Sequence, residues 1–360
     1  MRNPHSIFST WFLPKSNKIL PLELTKGWLC WALFYKKLEQ LTEREVEEFE
    51  YIINLFKEER KEDKTQEVIK DIKCMSLNLD DVEYEHKPLI SYLIIYIIQS
   101  IGSILLKLIG FREEYCSTSN LKIWLLEPKS YYTKSKEKPI VFIHGVGIGL
   151  IMYLRFIIKI RLSYPDRRVI LVEVPYVSLT MTNQIGTRDN TIHYFDILFH
   201  RYNILDCQLI GHSYGTIIAS WLIQDRPHYV NQVQLIDPVC FLMWESDLIY
   251  NFLYKPRDDL ISTLAYYFLS KDLFMANVFY RHFNWYENLL FLQDLNNIPC
   301  NVYLSEKDWI ISANKIHSYI EEFNHNRENI KVHIMKEFTH GQYLLCDKSM
   351  EFIMRGLEVV

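Results

Sequence analysis

Glycine is scarce in this 360-residue chain, with only 11 residues, so each glycine that falls in a recognisable turn carries more information than usual. Basic charge is not in excess: 40 Lys and Arg stand against 44 Asp and Glu, the formal net charge is −4, and no long like-charge tract occurs. A phosphate backbone is held by a positive field, and nucleic acid is therefore not an expected partner. The seven cysteines (Cys30, Cys74, Cys116, Cys207, Cys240, Cys300, Cys346) are odd in number and scattered without a C-x-x-C pair. That pattern indicates neither a disulfide framework nor a structural zinc site, and a reducing, intracellular setting is expected. The first 27 residues break their apolar stretches with prolines and lysines, so the uninterrupted core of a secretory signal is missing.

What is present is apolar material in quantity: 49% hydrophobic residues, among them 24 Tyr and 20 Phe, enough to bury a sizeable core. From Leu41 a helix is signalled by Thr42 as N-cap, Glu45 as its capping-box partner and Leu41 with Val46 as a hydrophobic staple. Val46, Phe49, Ile52, Ile53 and Phe56 then share one face. The charge-dense run at 57–73 reads as a solvated helix face or linker. Residues 88–106 hold nineteen positions without a charge, about the length that crosses a bilayer core. Gln99, Ser100, Ser103 and Lys107 collect on one side of that helix, and three arrangements fit: a helix in the membrane interface, a spanning helix, or one buried against protein.

From about residue 115 short apolar runs alternate with helical stretches, the pattern of an α/β domain. Strands are expected at LKIWLLE, PIVFI, VILVEV, CQLI, QVQLI, NVYL and KVHIM, several of them continuous Val/Ile/Leu runs as in parallel strands covered on both faces. The stretches GLIMYLRFIIKIRL and TIHYFDILFHRY have helical periodicity.

The sharpest motif is Gly211-His212-Ser213-Tyr214-Gly215, between the strand CQLI and the helical TIIASWLI. It is G-x-S-x-G in a strand-turn-helix context, where the turn strains the serine backbone and side chains at the glycines would collide with neighbours. Upstream, PIVFI runs into His144-Gly145-Val146-Gly147, a loop able to aim a backbone N–H at a developing oxyanion. The residue after the nucleophile supplies a second donor, so the expected oxyanion hole is Val146 with Tyr214. A serine needs a base to remove its proton, and that base needs a carboxylate to hold its tautomer. His340, on a turn after the last strand and before Gly341, is the candidate base; His333, inside that strand, reads as structural. Asp308 follows NVYL and is the candidate acid, with Asp237, after QVQLI, as competitor.

The order Ser213, Asp308, His340 together with the HGVG loop resembles the α/β-hydrolase fold superfamily over roughly residues 115–360. The resemblance implies a mostly parallel sheet with helices on both faces, a helical cap insert at about 239–299, and no metal or organic cofactor. A serine at 213 sets the chain apart from the epoxide hydrolases and haloalkane dehalogenases, which carry Asp there. Residues 1–114 are an N-terminal helical extension outside the superfamily's minimal core. The cap is rich in large apolar groups (Phe241, Trp244, Phe252, Phe268, Phe279, Phe283), which suits an acyl chain better than a charged metabolite. The expected function is a membrane-associated serine hydrolase cleaving an ester, a lipid or other apolar acyl compound, through an acyl-enzyme on Ser213. An amidase or peptidase with the same residues, and a catalytically silent scaffold or receptor, are the alternatives.

Overall fold

Eight strands build one sheet: β1 (Arg112–Tyr115), β2 (Lys122–Leu126), β3 (Ile140–Ile143), β4 (Val169–Glu173), β5 (Cys207–His212), β6 (Val230–Ile236), β7 (Cys300–Ser305) and β8 (Ile330–Met335), in the order β8-β7-β6-β5-β3-β4-β2-β1. Strand β2 runs antiparallel to both β1 and β4, and every other pairing is parallel. The computed structural model describes residues 7, 9–13, 22–59, 72–115, 120–128, 137–257, 260–295, 297–324 and 329–358. Cys116 and most of the charged run at 57–73 lie outside these residues.

Side-chain alternation along the strands divides the core into two layers. Val141 and Ile143 of β3 face a large cluster that includes α5 (Arg188–Arg201), α6 (Gly215–Asp225) and α8 (Ala313–Phe323). Ile140 and Phe142 face a smaller one with α4 (Leu154–Ser163) and α9 (Asp347–Arg355). Both faces of the sheet are thus covered, and β3 and β5 are buried along their whole length. The strand of this sheet not foreseen is β1: its sequence REEY has no apolar alternation, and it holds the sheet edge with ion pairs such as Arg112 to Glu127 at 3.2 Å; the short antiparallel pair Phe12–Leu13 with Lys73–Cys74 was not foreseen either.

The N-terminal helices pack onto this body. In α2 (Glu43–Glu59), Glu45 Oε2 accepts from the Thr42 amide at 2.8 Å and Phe49 and Ile53 pack on Leu29 and Cys30 of α1 (Leu22–Phe34), as the capping box and periodicity imply. Trp11 and Trp31 enter the large core, where Trp11 Nε1 donates to Trp244 O at 2.9 Å.

Helix α3 (Leu89–Leu108) is long and apolar enough to cross a membrane, yet it is pinned to the domain along one face. Tyr92 Oη donates to Asp272 Oδ2 at 2.8 Å, Gln99 Nε2 to Ser178 O at 2.5 Å, and Leu106 enters the smaller core. Gly102 permits the close approach, since a Cβ there would lie 2.9 Å from Ile151 Cβ. The opposite face carries Ile90, Leu93, Ile94, Ile97, Ile101, Ile104 and Leu108, each about half exposed or more, which is incompatible with a helix buried in the protein core. Gln99 contributes to the docking, while the free face is aliphatic.

Between β6 and β7 the chain forms short helical turns and α7 (Leu273–Arg281). Phe241, Phe252, Phe279 and Phe283 are buried within the large core, whereas Phe268 is exposed.

Candidate active site

Ser213 directly follows β5 with φ +51, a left-handed conformation costly for a residue with a Cβ. The strain persists because the surrounding glycines leave no alternative space. A Cβ on Gly215 would run into the Ile143 and His144 carbonyls, and one on Gly145 would lie 2.7 Å from Ser213 Cβ. The elbow therefore sits directly against the loop that follows β3. The Ser213 amide is occupied, donating to Ile236 O at 3.0 Å.

His340 arrives on the turn after β8. Its Nδ1–H donates to Asp308 Oδ2 at 2.6 Å, and its Nε2 accepts from Ser213 Oγ at 2.8 Å. Asp308 is oriented from behind, because its Oδ1 accepts from the Ile310 and Ile311 amides at 2.7 and 3.0 Å. The three side chains expected to act together thus form one hydrogen-bonded line, in the tautomer that leaves Nε2 free to take the serine proton. Burial by itself lowers the His340 imidazole, but Asp308, through its charge and hydrogen bond, and then Asp237 outweigh it, and the net shift is upward.

In the loop after β3 one amide is left over. The Gly145 amide donates to Tyr153 Oη at 3.0 Å, that of Gly147 to Val177 O at 3.1 Å and that of Ile148 to Met152 Sδ at 3.2 Å. Val146 N has no acceptor among the described residues, and neither has Tyr214 N. The orientation of the Val146 amide follows from His144. Its Nε2 accepts from the Val174 amide at 2.9 Å, so its hydrogen is on Nδ1 and donates to Gly145 O at 2.6 Å. In a planar trans peptide the carbonyl and the next N–H point to opposite sides, and holding Gly145 O turns the Val146 N–H away from His144.

Behind Ser213 lies a second buried layer. Tyr153 Oη, which accepts from the Gly145 amide, is hydrogen-bonded to His212 Nδ1 at 2.7 Å. Burial, then His340 and His144, press the His212 imidazole well below its ordinary value, so it stays neutral. Asp237 does not touch the imidazole of His340: its Oδ1 accepts from the Ser305 amide at 2.9 Å and its Oδ2 from Gly341 N at 2.8 Å. Burial pushes its carboxyl up, His340 pulls it back in part and the Asp308 charge adds to the rise, so the net shift is upward. His333, beside β7, is 3.2 Å from Asn301 and away from this centre. Asp237, Asp308 and His340 place ligand-type atoms within 4.8 Å of one another, but the His340 Nδ1 hydrogen faces Asp308 and the carboxylate oxygens are taken by the donors just described, a set built for hydrogen bonds rather than for an ion.

Neither His144 nor Tyr153 was assigned a role from the sequence. His144, directly before the glycine loop, carried a usable signal; Tyr153, an aromatic in an apolar helical stretch, reads as core and carried none.

No family model and no curated protein matches the sequence. Among solved structures, a membrane phospholipase A described as a bacterial virulence factor is similar over 75% of this chain and 94% of its own, at 17% identity and a TM-score of 0.51. Naproxen esterase (carboxylesterase NP) from Bacillus subtilis is similar over 72% of this chain and 96% of its own, at 15% identity and a TM-score of 0.52. At these identities the likeness is one of fold: the chain has the α/β-hydrolase fold, with its mostly parallel sheet and helices on both faces.

Proposed function

We propose that this chain is a serine hydrolase that cleaves esters of apolar acyl groups at a membrane surface. The observation that carries the reading is the line Ser213–His340–Asp308 at a strained elbow, beside two unengaged amides. Ser213 Oγ attacks the ester carbonyl carbon while its proton passes to His340 Nε2, and Asp308 stabilises the imidazolium. The Val146 and Tyr214 amides hold the oxyanion. Collapse of the intermediate expels the alcohol, which takes the proton from His340 and leaves the acyl-enzyme. Water, deprotonated by His340, then attacks the acyl carbon, and the acid departs as Ser213 regains its proton.

Two features support an apolar substrate at an interface. The ring of Tyr214, next to the nucleophile, meets Phe279 of the cap edge to face at 6.1 Å, so apolar aromatic packing reaches the residue beside Ser213. Helix α3, docked through Tyr92, Gln99 and Leu106, turns an aliphatic stripe outward, the disposition of a helix lying in the membrane interface rather than crossing it. The substrate class is tested by an acyl-chain series of soluble nitrophenyl esters against matching anilides. For the esters kcat/KM should rise with chain length; comparable or faster anilide cleavage would assign an amidase instead.

A further inference from the structure

Asp237 is a buried charged group that acyl transfer leaves without a task. It follows β6 as Asp308 follows β7, with φ +43 and no exposed surface. Its Oδ1 accepts from Ser305 N at 2.9 Å, and its Oδ2 accepts from Gly341 N at 2.8 Å and Ser305 Oγ at 3.1 Å. The Gly341 amide belongs to the peptide that follows His340, and Ser305 ends β7, the strand leading to Asp308. A third element faces it: His212 Nε2 is 3.9 Å from Asp237 Oδ2 and has no hydrogen-bond partner. A carboxylate oxygen faces Nε2, so the tautomer that avoids lone pair against lone pair carries its hydrogen on Nε2, with Nδ1 accepting from Tyr153 Oη. Burial and the neighbouring Asp308 charge raise the Asp237 carboxyl, while the donors that meet its two oxygens and the His340 imidazole favour the carboxylate.

We infer that Asp237 is a positioning residue for His340: one carboxylate ties the His340–Gly341 peptide to the end of the strand that leads to Asp308, and its charge adds to that of Asp308 on the imidazolium. The consequence for rate rests on the acyl-transfer reading; the consequence for imidazole ionisation does not. The titratable and charged groups around the His340 ring are Asp308, Asp237 and His212, at the ends of β7, β6 and β5. Tyr153 and Tyr343 stand behind His212, their hydroxyls pushed up by burial. Asp237→Asn removes the charge and also breaks the clamp. The amide offers one acceptor oxygen where two are used, so its NH2 must face either the Ser305 or the Gly341 N–H, donor against donor.

The test reads His340 ionisation directly in the full chain by 15N-imidazole NMR, assigned by the signal lost in His340→Gln, alongside the pH profile of kcat/KM on a short soluble ester. In Asp237→Asn the ionised fraction of His340 at a fixed pH on the alkaline side of its midpoint should fall about tenfold, from the loss of one charge at this separation. The acidic limb should move to lower pH with it, and kcat should drop about tenfold while KM stays within about twofold. Ser305→Ala keeps the charge and removes one donor, so His340 should titrate as in the wild type while kcat falls about threefold. Unchanged His340 titration in Asp237→Asn overturns the counter-charge. Undiminished kcat in Ser305→Ala overturns the clamp, and that variant decides the clamp even where Asp237→Asn does not fold; in that case Asp237→Glu, which keeps the charge and shifts its place, reads the counter-charge through the His340 titration, and an unchanged titration overturns it. A wild-type protein without ester activity whose His340 still shifts in Asp237→Asn would sink the hydrolase reading and leave the electrostatic one standing.

Discussion

Replacing Asp308 with Asn tests the geometry of the site more sharply than deleting it, because the fixed surroundings dictate how the amide must sit. Oδ1 of residue 308 accepts from the Ile310 and Ile311 amides at 2.7 and 3.0 Å, so an asparagine keeps its oxygen there and turns its NH2 toward His340. At 2.6 Å from Nδ1 that NH2 can only donate, which forces the imidazole hydrogen onto Nε2. Nε2 then faces Ser213 Oγ at 2.8 Å as a donor and cannot take its proton. The expected loss is about ten-thousandfold in kcat, or about 5.4 kcal/mol of transition-state stabilisation. The assay is initial-rate hydrolysis of a short soluble ester, with thermal unfolding to verify that the variant is folded. A folded Asp308→Asn enzyme within about tenfold of wild type, or a larger loss in Asp237→Asn, would refute the reasoning and move the acid to the end of β6.

The raised His340 value sets the sign of the pH dependence: the neutral base is lost as pH falls through a point on the alkaline side of its ordinary 6.5, so the acidic limb of kcat/KM should lie there and vanish in His340→Ala. A rate independent of pH from about 5 to 9 would contradict the base assignment. On α3, Ile97 and Ile101 are 49% and 48% exposed, so Ile97→Lys with Ile101→Lys should leave the fold intact. Losing two aliphatic contacts with lipid should cost about 2–3 kcal/mol, or about 30–150-fold in vesicle partitioning, with activity on a soluble ester retained. Equal partitioning of variant and wild type in a flotation assay would remove the membrane from the account.

Much of the fold could be read from the sequence where the physics is local. The elbow was legible because crowding at the turn demands glycines on both sides of Ser213, and because the period changes from strand to helix across it. Asp308 and His340 were legible as polar residues just past strand ends. Their distinction from Asp237 was less so, since Asp237 and Asp308 carry the same signature of an acid after a strand; only the assembled sheet brings the Gly341 amide to one and the His340 imidazole to the other. Strand β1 escaped because an edge strand held by ion pairs needs no apolar alternation. For α3 the apolar length was plain, but its docking depends on Gly102 meeting Ile151, a contact across the chain that no local pattern announces.

The central claim is that Ser213 Oγ is a nucleophile activated by its surroundings. A fluorophosphonate probe followed by peptide mass spectrometry tests it most directly. One adduct should form, on the peptide containing Ser213 of the wild type, and should be absent from folded Ser213→Ala. No adduct on the wild type, or an adduct that persists in Ser213→Ala, would contradict it.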